Sequence, residues 1–233
     1  MAKQNQKEDT IVDVQKVLAN SESFFDRNRK AVTIGLGAVA VLVAGFFAYQ
    51  YFLVKPKQAE ANNLAFVCDY WADKDSLEYA VMGKDGAEGY LSIAENYGST
   101  PAGKRAHYYC GVYFRDNKAD YATALEHFKQ ADFDDNAVGV FALGNVGDMY
   151  VMLGEYEQAA SWLDKAAKRA NNSDSRDFTG PLYSLKAAKA YLEIGNNDKA
   201  KTLLTYVLDN YQKGTQEFNE AEKLQAYISA LQP

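Results

Sequence analysis

Apolar positions in this chain follow two rhythms, and the change between them divides it. From Ala31 to Val54 runs a stretch of 24 residues without a charge. A helix of that length reaches about 36 Å, enough to cross a hydrocarbon core of about 30 Å with some tilt. On either side, apolar residues recur at helical spacing instead. Ile11, Val14, Leu18 and Phe25 alternate with Asp9, Asp13, Lys16 and Glu22 on the other faces, the pattern of a short amphipathic helix. Beyond residue 57 helical periodicity continues to the end. Strand-like alternation is absent and only 4 prolines interrupt the chain, so the fold class is all-α.

Punctuation residues place the individual helices. Residues 57–73 read as a helix carrying Leu64, Phe66, Val67, Tyr70 and Trp71, followed by a looser segment through Gly83 and Gly86. A helix over 87–97 ends at Gly98, and the next starts after Pro101. Helix pairs then follow at 102–115 with 120–132, 137–153 with 156–170, and 180–194 with 198–211. A polar-faced helix over 217–231 is the expected cap on an open helical array.

Those three pairs share one signature. The clearest copy reads Leu143-x2-Val146-Gly147-x2-Tyr150, then Gly154-Glu155-Tyr156, then Ala159-x3-Leu163. A second lies 36 residues earlier: His107-x2-Cys110-Gly111-x2-Phe114 and Ala124-x3-Phe128. A third lies 41 residues later: Ser184-x2-Ala187-Ala188-x2-Tyr191, Gly195 and Ala200-x3-Leu204. Small residues recur where two helices must approach closely, and an aromatic recurs one turn on. The pattern resembles the 34-residue tetratricopeptide repeat, whose arrays bind other proteins. The copies lack the consensus Trp and the closing Pro. The second has one extra residue in its inner turn, between Arg115 and Tyr121, and the polar loop 171–177, ending near Gly180-Pro181, takes up the longer spacing before the third. Residues 57–97 supply a divergent first repeat. The expected architecture is a single transmembrane helix followed by a superhelical array of about four repeats with a C-terminal capping helix.

Charge orients the apolar run. Lys16, Arg27, Arg29 and Lys30 flank its N-terminal side against Lys55 and Lys57 on the other, a bias that places residues 1–30 in the cytoplasm and 55–233 across the membrane. Phe46, Phe47, Tyr49, Tyr51 and Phe52 gather as an interfacial aromatic belt. Ala59-Glu60-Ala61 has the form of a signal-peptide cleavage site, but the apolar run exceeds signal-peptide length and 30 residues precede it. That favours an uncleaved anchor. The N-terminal amphipathic helix either lies along headgroups or a partner surface, or serves only as an orientation signal. Ala40, Ala44 and Ala48 make a small-residue stripe along the span that a second membrane helix could use.

Residues 55–233 carry 19 basic and 26 acidic side chains, an acidic balance that argues against nucleic acid and anionic lipid as partners. Cys68 and Cys110 fall in different helices and read as buried unpaired thiols. His107 and His127 stand alone in sequence, without ligand-like neighbours, so neither a metal site nor a cofactor is expected. No catalytic constellation emerges, and the chain does not read as an enzyme.

A binding groove is expected along the first helix of each pair. Tyr109, Asn145 and Lys186 occupy equivalent positions there, as do Val112, Asp148 and Lys189. Together they would give a groove with one acidic-polar and one basic patch, suited to a peptide or a partner helix. Tyr108, Val112 and Leu182 stand where a carboxylate clamp would need charges, so such a clamp is not expected.

The block Tyr90-Leu91-Ser92-Ile93-Ala94-Glu95-Asn96-Tyr97-Gly98-Ser99-Thr100-Pro101-Ala102-Gly103, running into Ala106 to Gly111, resembles membrane-anchored tetratricopeptide proteins of the Bacteroidota. So do Ala142 to Tyr150 and Thr179-Gly180-Pro181-Leu182-Tyr183. The layout of leader, span and outside repeats is similar to the ancillary subunit of the SecYEG translocon. That resemblance implies a single-pass protein of the bacterial inner membrane, its C-terminal domain periplasmic. It would be an accessory scaffold linking the translocon to periplasmic chaperones or secreted clients. The alternative is a scaffold of another envelope machine, for outer-membrane assembly, secretion or division.

Overall fold

The computed structural model describes residues 27–74 and 76–231. The amphipathic helix expected over residues 10–25 lies outside them. The chain divides into two compact units, one ending at Pro56 and one beginning at Lys57.

The first unit holds α1, Arg29–Tyr49, and a π-helical turn over Gln50–Val54. No residue of α1 is buried. Its most apolar window has a mean hydropathy of 2.3, making it long and apolar enough to cross a membrane. Phe46 and Phe47, and Tyr51 and Phe52, meet edge to face, with Lys55 Nζ 5.9 Å from the Tyr51 ring. Nothing lies within 4 Å of a Cβ placed on Gly35, Gly37 or Gly45.

Among its described residues the second unit is helical, without a strand. Its elements are α2 (Lys55–Asp73, whose first two residues fall in the first unit), α3 (Leu77–Met82), α4 (Tyr90–Tyr97), α5 (Pro101–Asn117), α6 (Tyr121–Gln130), α7 (Val138–Met152), α8 (Tyr156–Asn171), α9 (Arg176–Glu193), α10 (Asn197–Asn210) and α11 (Gln216–Leu231). From α4 onward each helix packs on the next, and α9 also reaches α7 and α11. The segment expected to be loose contains α3. Six residues are too few to display a helical period, and Gly83, at φ 83°, ends the helix. The polar loop before the third copy is also shorter than expected. Only Asn172 to Ser175 remain outside helices, and Gly180 and Pro181 lie inside α9. Gly180 is needed there because the Tyr211 hydroxyl passes over it to reach Asn171 Oδ1.

Three hairpins are built on equivalent residues. In α5–α6, a Cβ on Gly111 would stand 2.7 Å from the Phe128 ring. In α7–α8, one on Gly147 would stand 2.5 Å from Leu163 Cγ. In α9–α10, Ala188 and Leu204 are fully buried in one cluster. The turns match as well. The carbonyl at each recurring aromatic accepts the N–H that follows the turn: Phe114 from Asp120 at 2.9 Å, Tyr150 from Glu155 at 2.9 Å, Tyr191 from Asn196 at 2.8 Å. Gly154 (φ 76°) and Gly195 (φ 72°) supply the left-handed residue in two of them. The extra residue of the α5–α6 turn is absorbed with Ala119 in that role, at φ 51°. Asp120 and Asn196 then cap the following helices, accepting from Thr123 N and Lys199 N.

The buried side chains form three clusters. One gathers Ala61, Ala65, Cys68, Tyr90, Ile93 and Cys110 with α3. A central one is built on Phe128, Val146, Met149 and Leu163. The last holds Leu185, Leu204, Val207 and Ile228. Cys68 and Cys110 are both buried free thiols. Burial pushes them up to about 11 and about 12 respectively, so both are protonated at neutral pH.

Candidate functional site

Helices α5, α7 and α9 carry the six residues singled out from the sequence, and the structure separates them. Asn145, Asp148 and Lys186 come together. Lys186 Nζ stands 2.6 Å from Asp148 Oδ2 and 5.6 Å from the centre of the Tyr183 ring. Asn145, buried on α7, accepts from Arg115 Nη1 at 2.8 Å. Its amide faces the Tyr108 hydroxyl at 3.5 Å. Arg115 turns its remaining fork to Asp116, with Nε at 2.6 Å and Nη2 at 2.9 Å.

Electrostatics knit these groups together. The Asp116 hydrogen bonds push the Arg115 guanidinium further up, and the guanidinium in turn holds the Asp116 carboxyl below its ordinary range. The Tyr183 phenol is pushed well up, first by burial and then by the Asp148 charge, so it stays neutral.

The other three sequence-nominated residues go elsewhere. Tyr109 stacks on Tyr90, with ring centres 4.8 Å apart and planes 5° from parallel. The Tyr90 hydroxyl donates to Asp69, which also receives Arg105 Nη2 at 2.9 Å. Burial, followed by the Asp69 charge, raises the Tyr109 phenol. Val112 is half-buried apolar packing against the central cluster. Lys189 pairs with Glu220 on α11 at 2.6 Å. A single contiguous groove of six residues is therefore not what the geometry contains. A ladder of polar links replaces it: Asp69 with Arg105 between α2 and α5, Arg115 with Asn145 between α5 and α7, Asp148 with Lys186 between α7 and α9, and Lys189 with Glu220 between α9 and α11. The last three rungs each join one helix to the next but one in sequence, and the first spans from α2 to α5.

Arg115, Tyr108, Asp69, Arg105 and Glu220 complete these rungs and were not nominated from sequence. Each partner lies 30 or more residues from its mate, and nothing in the local pattern links them. The histidines, which stand alone in sequence, are paired in space: His107 Nδ1 lies 3.0 Å from His127 Nδ1. Among the described residues no group of three or more His, Cys, Asp or Glu is placed to hold a metal ion.

The ladder offers little that is chemically unspent. Both lysines, Arg115 and Asp148 have partners. Half-exposed side chains of this kind can exchange an internal partner for one on another polypeptide at small net cost. No protein-family model matches the chain, and no curated protein matches it.

Proposed function

We propose that this chain is a membrane-anchored scaffold for protein–protein interaction, a tetratricopeptide array of about four repeats carried on a single span. The observation that supports it most is the agreement of three hairpins. Gly111 against Phe128 and Gly147 against Leu163 are the same contact at equivalent positions, and the turns that follow Phe114, Tyr150 and Tyr191 close on the same carbonyl. Such agreement is what stacked helical repeats require. In this reading α2 with α4 is the first, divergent repeat, and α11 is the cap.

The partner surface runs along α5, α7 and α9, where Tyr108, Arg115, Asp148 and Lys186 gather over the buried Asn145 and Tyr183. A partner docks there by trading hydrogen bonds with paired groups, and no catalytic step is involved. The anchor confines the array near a bilayer and raises the effective concentration of membrane-borne partners. We assign the protein to the bacterial inner membrane, N-terminus in the cytoplasm and array in the periplasm, as an accessory of the Sec translocon that receives periplasmic chaperones or secreted clients.

A mild-detergent pull-down of the full-length protein tests this beside a variant with Asn145, Asp148, Lys186 and Lys189 changed to Ala. Recovery of SecY with the wild type, and loss of only soluble factors from the variant, is the expected result. Recovery of outer-membrane assembly or division proteins without SecY would replace the translocon with another envelope machine.

A further inference from the structure

We propose that His107 and His127 form an acid-sensitive latch, holding α6 against α5 at neutral pH and releasing it when both rings are protonated. The inference rests on the helical unit alone and does not depend on the scaffold reading. The two Nδ1 atoms lie 3.0 Å apart. At that distance one must donate and the other accept, which neutral imidazoles can do and two imidazolium ions cannot. His107 is buried, while His127 stacks on Phe114 with ring centres 5.5 Å apart. The latch adjoins the tightest approach of the hairpin, where Gly111 meets Phe128.

Among the described residues no unpaired carboxylate faces the rings to neutralise a second proton. On α4, Glu95 is exposed and the Tyr90 hydroxyl goes to Asp69. On α5, Arg105 pairs with Asp69, Arg115 with Asp116 and Asn145, and the Tyr108 hydroxyl faces Asn145, while Cys110 is a neutral buried thiol. On α6, Glu126 is exposed and Lys129 sits over the Tyr150 ring. On α7, Asp148 is held by Lys186. No hydrogen bond or ion pair joins either ring to a carboxylate among the described residues.

Burial, and then the neighbouring imidazole, push His107 down to about 4, and burial lowers His127 as well. An unfolded chain takes up these protons near about 6.5. The stabilisation is therefore complete above that pH and is withdrawn as pH falls toward about 4. Release would uncover Phe128, Leu125 and Ala124, all buried at neutral pH. The resulting acid form would present apolar surface on α6 while α8 to α11 stay packed.

Hydrogen exchange on the full-length protein in detergent tests the latch, comparing α6 amides with those of α10 after correction for the intrinsic pH effect. Between about pH 7 and about pH 4.5, α6 is expected to lose protection by about tenfold or more while α10 changes little. In His127→Gln, which keeps a hydrogen-bonding side chain but cannot charge, that loss should shrink markedly, leaving only what His107 loses through its own burial. Equal responses of α6 and α10, or an unchanged α6 response in the variant, would overturn the proposal. Should the variant fail to fold, imidazole titration of the wild type by NMR decides. Normal titration of both rings near about 6.5 sinks the latch, and depressed, coupled titration supports it.

Discussion

Helices α1 and α7 are both strongly apolar, yet they solve opposite problems. Helix α1 buries none of its residues. In α7, by contrast, Gly139, Val140, Ala142, Gly144, Asn145, Val146, Gly147, Met149 and Tyr150 are all buried. Length separates them first. The 15 residues of α7 span about 22 Å, short of a hydrocarbon core, whereas the uncharged run from Ala31 to Val54 exceeds it. Surroundings separate them second. Glycines in α7 are sites of close approach, with Gly147 against Leu163, while glycines in α1 face open space. Apolar composition thus states only that a helix must leave water, and its length says whether it is long enough to cross a hydrocarbon core.

The sharpest way to break this contrast is to place a carboxylate in each helix. Val146→Asp should unfold the helical unit, because an unpaired charge at a site 1% exposed costs several kcal/mol. Leu42→Asp should leave the helical unit's thermal unfolding unchanged and weaken recovery in the membrane fraction. Circular dichroism and fractionation read the two outcomes, and a folded Val146→Asp protein would contradict the packing described for α7.

Glycine substitutions sharpen the same comparison at smaller cost. A Cβ on Gly103 would collide with the backbone carbonyl of Tyr97, which cannot swing aside as a side chain can. Gly103→Ala should lower stability by about 3 kcal/mol, seen as a shifted denaturation midpoint, whereas Gly35→Ala should leave the midpoint where it was.

Ala119 makes a test of opposite sign. It occupies a left-handed conformation that Gly154 and Gly195 fill in the two equivalent turns. Ala119→Gly should raise stability by up to about 1 kcal/mol, and Gly154→Ala should lower it by a similar amount. A loss of stability in Ala119→Gly would mean that the extra residue of that turn is held by something other than its backbone.

The smallest effect belongs to the polar ladder. A double-mutant cycle on Asp148→Ala and Lys186→Ala should return a coupling of about 0.5–1 kcal/mol, because the pair is about one-third exposed on each side. A coupling near zero would make those residues freer to engage a partner than the geometry implies.

Much of the fold was legible in sequence because it rests on short-range rules. Gly98 and Pro101 mark the boundary between α4 and α5, and Gly154 and Gly195 end α7 and α9 by their own backbone freedom. The small–aromatic recurrence located three hairpins, because helices approach closely only where a side chain is missing. Helix α3 and the true start of α9 escaped notice. The first is shorter than a readable period, and the second carries Gly180 and Pro181, residues that ordinarily signal a break. Residues equivalent by repeat position, such as Tyr109 and Asn145, were expected to share one surface. Tyr109 instead turns to Tyr90, because the helix preceding it offers a ring to stack on.

The sequence by itself therefore determined an all-α chain with one segment suited to lipid and three hairpins of common design, since spacing, helix caps and uncharged length are local properties. Only the tertiary structure decided which polar groups pair. Arg115 meets Asn145, Lys189 meets Glu220 and His107 meets His127 across 20 or more residues. Those pairings depend on how each helix rotates against its neighbours, a quantity set by the packing of whole faces and written in no single stretch of chain.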